Sequence, residues 1–260
     1  MNIAASAKLQ ARVVFALIVQ RIRTQHAGSR AGYIWAILEP IIWIFVLKFA
    51  IRGKDNNHPP IGTSYEVFYA TGVVIARGWR TTSQSVARAV RKRTKSALLF
   101  RIDAAYAAWL LNTATSAVAM LLILFILGLF GYDVMPNSPL ICIAAFLAAA
   151  LFSFGFGLML ALLLTAAPGI SHFQHIIMLV IFITSGFSMI IDRVAPQLRQ
   201  VLLWNPLVHC IEWFREGFYK GYVCANLDLF YLFSVSITFI LCGLAGERVT
   251  RHHFNRAPIR

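Results

Sequence analysis

The sequence predicts an all-α polytopic membrane protein with six transmembrane helices, an N-terminal amphipathic interface helix, and a re-entrant helical hairpin before the last span. Three observations carry this. Between Asp103 and Asp192 lie 88 residues, of which only Asp133 carries a formal charge, and no water-soluble domain covers its surface with so little charge. Apolar runs of about 20 residues, the length needed to cross about 30 Å of hydrocarbon, recur along the chain. Lysine and arginine are sorted by position, seventeen in segments that the spans place on one side and seven on or near the other.

Residues 1–30 read as a cytoplasmic interface helix. Leu9, Val13, Ala16, Leu17 and Gln20 fall at helical spacing and leave the arginines for phosphate. The apolar cluster 13–19 is too short for a cleavable leader and lacks a small-residue cleavage site. The first span, 32–52, runs through GYIWAILEPIIWIFVLKFA and is interrupted by Glu39 and Lys48. The second, 65–86, reaches spanning length only by continuing through Arg77, Trp79, Arg80 and the polar TTSQS segment.

The third and fourth spans, 103–130 and 139–166, flank a turn that holds Gly131, Asp133, Pro136 and Asn137. Pro168 and Gly169 break the chain before the fifth, 172–191. The sixth, 228–246, is followed by a tail at 247–260. Six spans put both termini on one side, and the positive-inside rule makes that side cytoplasmic. The net charge of +14 then reflects sorting by membrane side rather than nucleic-acid binding, for which no module fits between the spans.

Between the fifth and sixth spans, 192–227 is too charged and too interrupted to cross. The turn Trp204, Asn205, Pro206 divides it into two short helical patterns. In the second, Glu212 with Arg215 and Glu216 with Lys220 are spaced for ion pairing. Two half-helices joined at a proline read as a periplasmic re-entrant hairpin. Non-helical backbone at membrane depth needs protein or a water-filled cavity beside it, so such a hairpin points to a path nearby. An ordinary loop on the lipid surface is the other reading.

On the opposite side, Arg88, Arg91, Lys92, Arg93 and Lys95 form the densest basic stretch. A short helix over 86–101, with Val86, Val90, Leu98 and Leu99 against the membrane, gives an external motor a place to push. Catalytic parts are missing: there is no GxxxxGK[ST], HExxH, CxxC or GxSxG string. His172 and His175 stand one turn apart and read as a polar patch rather than a metal site. Cys142 and Cys242 fall within spans. Cys210 and Cys224 fall on the outer side, where a disulfide stays open.

The string SRAGYIWAILEPIIW from Ser29 to Trp43, the six spans, the basic stretch after the second and the Asn205-Pro206 hairpin together resemble the ABC-2 type permeases. The G-Y-x-W-A-x-L-E-P pattern and a length of 260 are most similar to the group that exports capsular polysaccharide across the bacterial inner membrane. The resemblance covers the whole chain. It implies a homodimer over two copies of a separate ATP-binding cassette subunit that holds ATP and Mg, so this chain is not itself an enzyme and carries no cofactor. It also implies a lipid-linked acidic polysaccharide as cargo, passed on to a periplasmic adaptor and an outer-membrane export protein.

Residue types place a candidate path on the first two spans. Tyr33, Trp35 and Trp43 offer the broad apolar faces along which a sugar polymer slides, although aromatic residues also gather at membrane interfaces, as Trp79 and Trp109 are expected to. Glu39 beside Pro40 is costly within a span and calls for a partner such as Arg30 or Arg80, or for a headgroup at the path's mouth. Lys48, Arg52, Arg77 and Arg80 suit phosphate or carboxylate groups, with snorkelling to lipid headgroups as the competing role. Two other functions stay open: an ABC-2 exporter of O-antigen, teichoic acid or a small hydrophobic compound, and a membrane-embedded lipid-linked glycosyl or acyl transferase.

Overall fold

The computed structural model describes residues 3–26, 31–52, 59–91 and 101–255. Among them the regular structure is entirely helical: α1 (Ile3–His26), α2 (Ala31–Arg52), α3 (Tyr65–Arg91), α4 (Arg101–Leu129), α5 (Pro139–Ala166), α6 (Gln174–Ile183), α7 (Pro196–Leu202), α8 (Pro206–Phe218) and α9 (Leu229–Asn255), with 3₁₀ turns at Pro168–His172 and Ile191–Arg193. Three stretches are long and apolar enough to cross a membrane: Ile102–Leu129, Pro139–Ala166 and Leu229–Val249. The outward faces of α4 and α9 expose Leu121, Phe125, Ile237 and Leu241, side chains that need hydrocarbon rather than water around them.

The core forms where α3 and α5 meet. α3 packs on α4 and α5, and α5 on α8 and α9. Glycine makes these approaches close. A Cβ on Gly157 would come within 2.7 Å of Val86 on α3, and one on Gly155 within 2.7 Å of the Ser236 carbonyl on α9. Trp79 is buried and stacks on Phe152 with ring centroids 6.1 Å apart. Trp109 donates its indole N–H to the Ala150 carbonyl at 2.8 Å. The two tryptophans expected at an interface therefore pin helices together.

Two predicted helices differ from those observed. α3 continues to Arg91, so Val86 and Val90, expected to open a separate cytoplasmic helix, are its buried last turns. The apolar stretch 172–191 is not one helix. Only Gln174–Ile183 is α-helical, ten residues that rise about 15 Å, and Gly186 turns the chain with φ of +73°. The carbonyls beyond this break are claimed by Arg215, 26 to 29 residues later, so tertiary contacts hold the chain after the local break.

α7 and α8 are joined at Leu203–Asn205, the turn that the sequence reads as the bend of a re-entrant hairpin. The Asn205 side-chain oxygen accepts from Leu207 N at 3.0 Å, and Pro206 sits where its missing N–H leaves nothing unsatisfied. The same side chain's Nδ2 donates to Ile181 O at 2.8 Å and to Thr184 Oγ1 at 3.0 Å, tying the hairpin turn to the end of α6. α8 runs antiparallel to α5: Asn137 N donates to Phe218 O (3.0 Å), and Ser138 N to Gly217 O (2.7 Å). Cys210 and Cys224 are both buried free thiols, so the outer-side disulfide left open by the sequence does not form.

Candidate translocation path

α2 and α3 run antiparallel, and each carries one acid and one base for the other. Arg77 Nη2 donates to Glu39 Oε2 at 2.5 Å, and Lys48 Nζ donates to Glu66. Tyr132, just past α4, adds its hydroxyl to the same Glu66 oxygen at 2.9 Å. Charge within a span is expensive alone, and pairing removes most of that penalty. Glu39 therefore pairs with Arg77 rather than with the expected Arg80, while Arg30 lies outside the described residues. Lys48 and Arg77, both assigned by the sequence to the path, spend donors on protein carboxylates.

What remains on α3 is a polar stripe. Arg77, Arg80, Gln84, Arg88 and Arg91 recur at helical spacing, and none of them is fully buried. Arg80, Arg88 and Arg91 make no ion pair among the described residues. At the Arg91 end of the stripe, burial and then the neighbouring Arg88 cation lower the pKa of Arg21 on α1. Trp43 is partly exposed and tilts against Phe182 of α6, with centroids 6.2 Å apart. The side chains of Tyr33, Trp35 and Arg52 lie outside the described residues, as do Lys92, Arg93 and Lys95 altogether.

The densest polar cluster centres on Arg215 of α8, which is 0% exposed. Nη1 donates to Gly186 O at 3.0 Å and to Met189 O at 2.8 Å, and Nη2 to Phe187 O at 2.7 Å. Nη1 also meets Glu212 Oε1 at 3.1 Å, and the guanidinium carbon sits 4.1 Å over the Phe68 ring. Glu212 takes a further hydrogen bond from the Tyr222 hydroxyl. Burial, and then the Glu212 charge, raise the Tyr222 pKa, so its proton stays on to donate. The other spacing-based pair, Glu216 with Lys220, is not among the salt bridges of the described residues.

Beside the hairpin turn lies an open groove of about 540 Å³, lined by Gln200, Trp204, His209, Asn226, Asp228 and Tyr231 together with Leu203. His209 places Nε2 at 3.0 Å from Leu203 O and accepts from Asp228 N through Nδ1 at 3.1 Å, which fixes the neutral Nε2–H tautomer. Tyr231 donates its hydroxyl to Trp204 O at 2.6 Å. No group of three or more metal-ligating side chains occurs among the described residues.

A membrane chain, helical in its described residues, with paired charges between α2 and α3 and an Asn205-Pro206 turn before its last long helix is the setting for the comparison with known proteins. Residues 12–219 match the family described as ABC-2 type transporter. The chain belongs to the ABC-2 type transporter family. This ABC-2 chain is 25% identical over 241 residues to the capsule polysaccharide export inner-membrane protein CtrC of Neisseria meningitidis serogroup A, covering 91% of this chain and 90% of CtrC. It is 24% identical over 247 residues to BexB of Haemophilus influenzae, which has the same description, covering 92% and 91%. It is 26% identical over 245 residues to the polysialic acid transport protein KpsM of Escherichia coli, covering 93% and 94%.

Several residues of this ABC-2 site are not legible as functional from sequence. Glu66 has no motif around it, although its separation of 18 residues from Lys48 is a usable signal for an antiparallel pair. His209 and Tyr222 carry no such signal. Their partners are backbone groups or residues fixed only by the hairpin's fold.

Proposed function

We propose that the chain is the transmembrane subunit of an ATP-driven ABC exporter that moves lipid-linked acidic capsular polysaccharide from cytoplasm to periplasm. The observation that carries this reading is similarity along more than nine-tenths of the chain to capsule polysaccharide export inner-membrane proteins and a polysialic acid transport protein. Two copies form the path, in the bacterial inner membrane, with both termini cytoplasmic. A separate ATP-binding cassette subunit holds ATP and Mg and docks near Arg88 and Arg91, at the exposed end of α3. In this arrangement α6 and the α7–α8 hairpin together make the fifth of six crossings, and a periplasmic adaptor and an outer-membrane protein receive the polymer.

Physical features support it. The stripe from Arg77 to Arg91 offers guanidinium groups for phosphate or carboxylate along about 21 Å of helix, a length suited to many weak contacts with a polyanion. Trp43 and the exposed apolar face of α2 give a sugar chain a surface with few hydrogen bonds to break.

The test is purification of the tagged chain from native membranes with mild extraction, followed by identification of its partners, an ATPase assay and deletion of the gene. A stoichiometric ATPase subunit, with loss of surface polysaccharide on deletion, is the expected result. A chain that purifies alone without ATPase activity, or a deletion strain with normal capsule, would overturn the reading.

A further inference from the structure

We propose that the groove beside the hairpin turn is a water-filled outer vestibule reaching into the membrane, with Trp204 as the platform on which uncharged faces of the exported glycan stack; the glycan part rests on the polysaccharide reading above.

Depth carries the first half. Phe218 is level with Asn137 at the outer end of α5, through the bond from Asn137 N. Asp228 is level with His209, through the bond to Nδ1, and His209 lies nine residues, or about 14 Å, from Phe218 along α8. α9 gives a second measure. Gly243 rests on Leu158 and Gly246 on Leu162, so α9 runs parallel to α5, and Leu229 falls about 8 Å inward of Pro139. The polar groove therefore sits between about 8 and 14 Å inward of the outer end of α5.

On α5, about 6 and 12 Å inward of Pro139, the exposed side chains are apolar. Ile143 and Leu147 of α5 are 56% and 54% exposed, and Phe130 and Leu140 at the outer end are 77% and 81% exposed. Such a collar requires lipid, or a second copy, up to the level of Pro139. Gln200, Asn226 and Asp228 at the collar's depth require water, because amides and a carboxylate are not left in hydrocarbon. Both demands are met only if an aqueous recess runs down the hairpin side while hydrocarbon covers the other.

Chemistry carries the second half. Trp204 is 81% exposed, so its ring face is open to the groove. Both His209 ring nitrogens are occupied, and the Asn226 amide nitrogen donates to Asp192 Oδ1 at 2.5 Å. The groups left for a ligand are the Asn226 carbonyl, the Gln200 amide and a carboxylate oxygen of Asp228. Acceptors predominate, which fits sugar hydroxyl donors, while Asp228 repels carboxylates. An aromatic ring beside hydroxyl acceptors suits the uncharged face of a pyranose, at low entropic cost to a polymer that must keep moving.

The experiment uses the full-length chain in spheroplasts with its native partners. Single cysteines replace Gln200, Asn226, Ile143 and Leu147, the unsubstituted chain serves as background for its own four cysteines, and a membrane-impermeant maleimide is added outside. Cysteines at 200 and 226 should label at least about tenfold faster than those at 143 and 147. Equal labelling at 143 and 147 would overturn the vestibule, since the outer ends of α4 and α5 would then stand clear of the bilayer. Absence of label at 226 would overturn it too. Labelling does not depend on the cargo, so failure of the polysaccharide reading is seen separately, as normal capsule on deletion.

For the platform, Trp204→Ala should cut export about tenfold at equal membrane abundance and equal labelling, with Trp204→Phe close to wild type. Full export by Trp204→Ala would overturn the sugar contact and give the groove to a periplasmic protein partner.

Discussion

Glu39 on α2 and Arg77 on α3 form one rung of a two-rung ladder, with Lys48 and Glu66 as the other. The rungs are nine residues apart on α2 and eleven on α3, so only the antiparallel register closes both. The pairs fix how deep each helix sits as well as their contact.

Glu39→Gln leaves Arg77 partly buried without its counter-charge. Because Glu39 keeps 35% of its side-chain surface, the expected loss is about 1–2 kcal/mol, below the 3–5 kcal/mol of a fully buried pair. The double variant Glu39→Gln, Arg77→Gln should lose less than the sum of the single variants. Thermal unfolding in detergent checks this, and additive losses would show the pair to be uncoupled.

Arg215→Met removes the donor to three carbonyls and the partner of Glu212 inside the protein. A loss of more than about 3 kcal/mol follows from the stranded acceptors. Arg215→Lys should fare little better, since an ammonium lacks the planar fork that reaches Gly186, Phe187 and Met189 together. Limited proteolysis between 184 and 195 reports the outcome. Unchanged protection in both variants would exclude the role.

Gly157→Ala should destabilise by about 1–3 kcal/mol, because the added methyl meets Val86 and the Ser83 carbonyl, both held in the core. Gly169→Ala, whose Cβ meets nothing within 4 Å, is the control. Loss of folded protein on size-exclusion chromatography for the first only is the expected pattern.

Charge reversal at the end of α3, Arg88→Glu with Arg91→Glu, should lower export at least about fivefold and reduce recovery of the ATP-binding subunit on purification. Both residues are exposed, so stability should change by less than about 0.5 kcal/mol. Normal recovery and export would place the docking surface elsewhere.

The turn between α4 and α5 is legible because Gly131, Asp133, Pro136 and Pro139 interrupt two runs that are apolar throughout, so composition and local breakers agree. The end of α6 is not legible. Thr184 to Ile191 stays uncharged like the run before it, and what holds the chain beyond Gly186 is a guanidinium 26 to 29 residues downstream. The same limit applies to the path. Periodicity shows that Arg77 and Arg80 lie on neighbouring faces, but which of them meets Glu39 is set by the rotation of α3 against α2. That rotation is fixed by Val86 and Trp79 of α3 packing on Gly157 and Phe152 of α5.

The burial of α3 bears on how this protein is made. Glu66, Arg77 and Arg80 in one helix add several kcal/mol each to the cost of entering lipid alone, at about 2.5–3.5 kcal/mol per central charge. Two of these charges are answered by α2, and most of the helix is wrapped by neighbours made after it. The nascent chain must therefore hold α3 at the translocon, or insert it joined to α2, until α4 and α5 emerge to enclose it. In the proposed six-span arrangement folding and membrane insertion are a single ordered event, and a chain stopped after Arg91 lacks what would keep α3 in the bilayer.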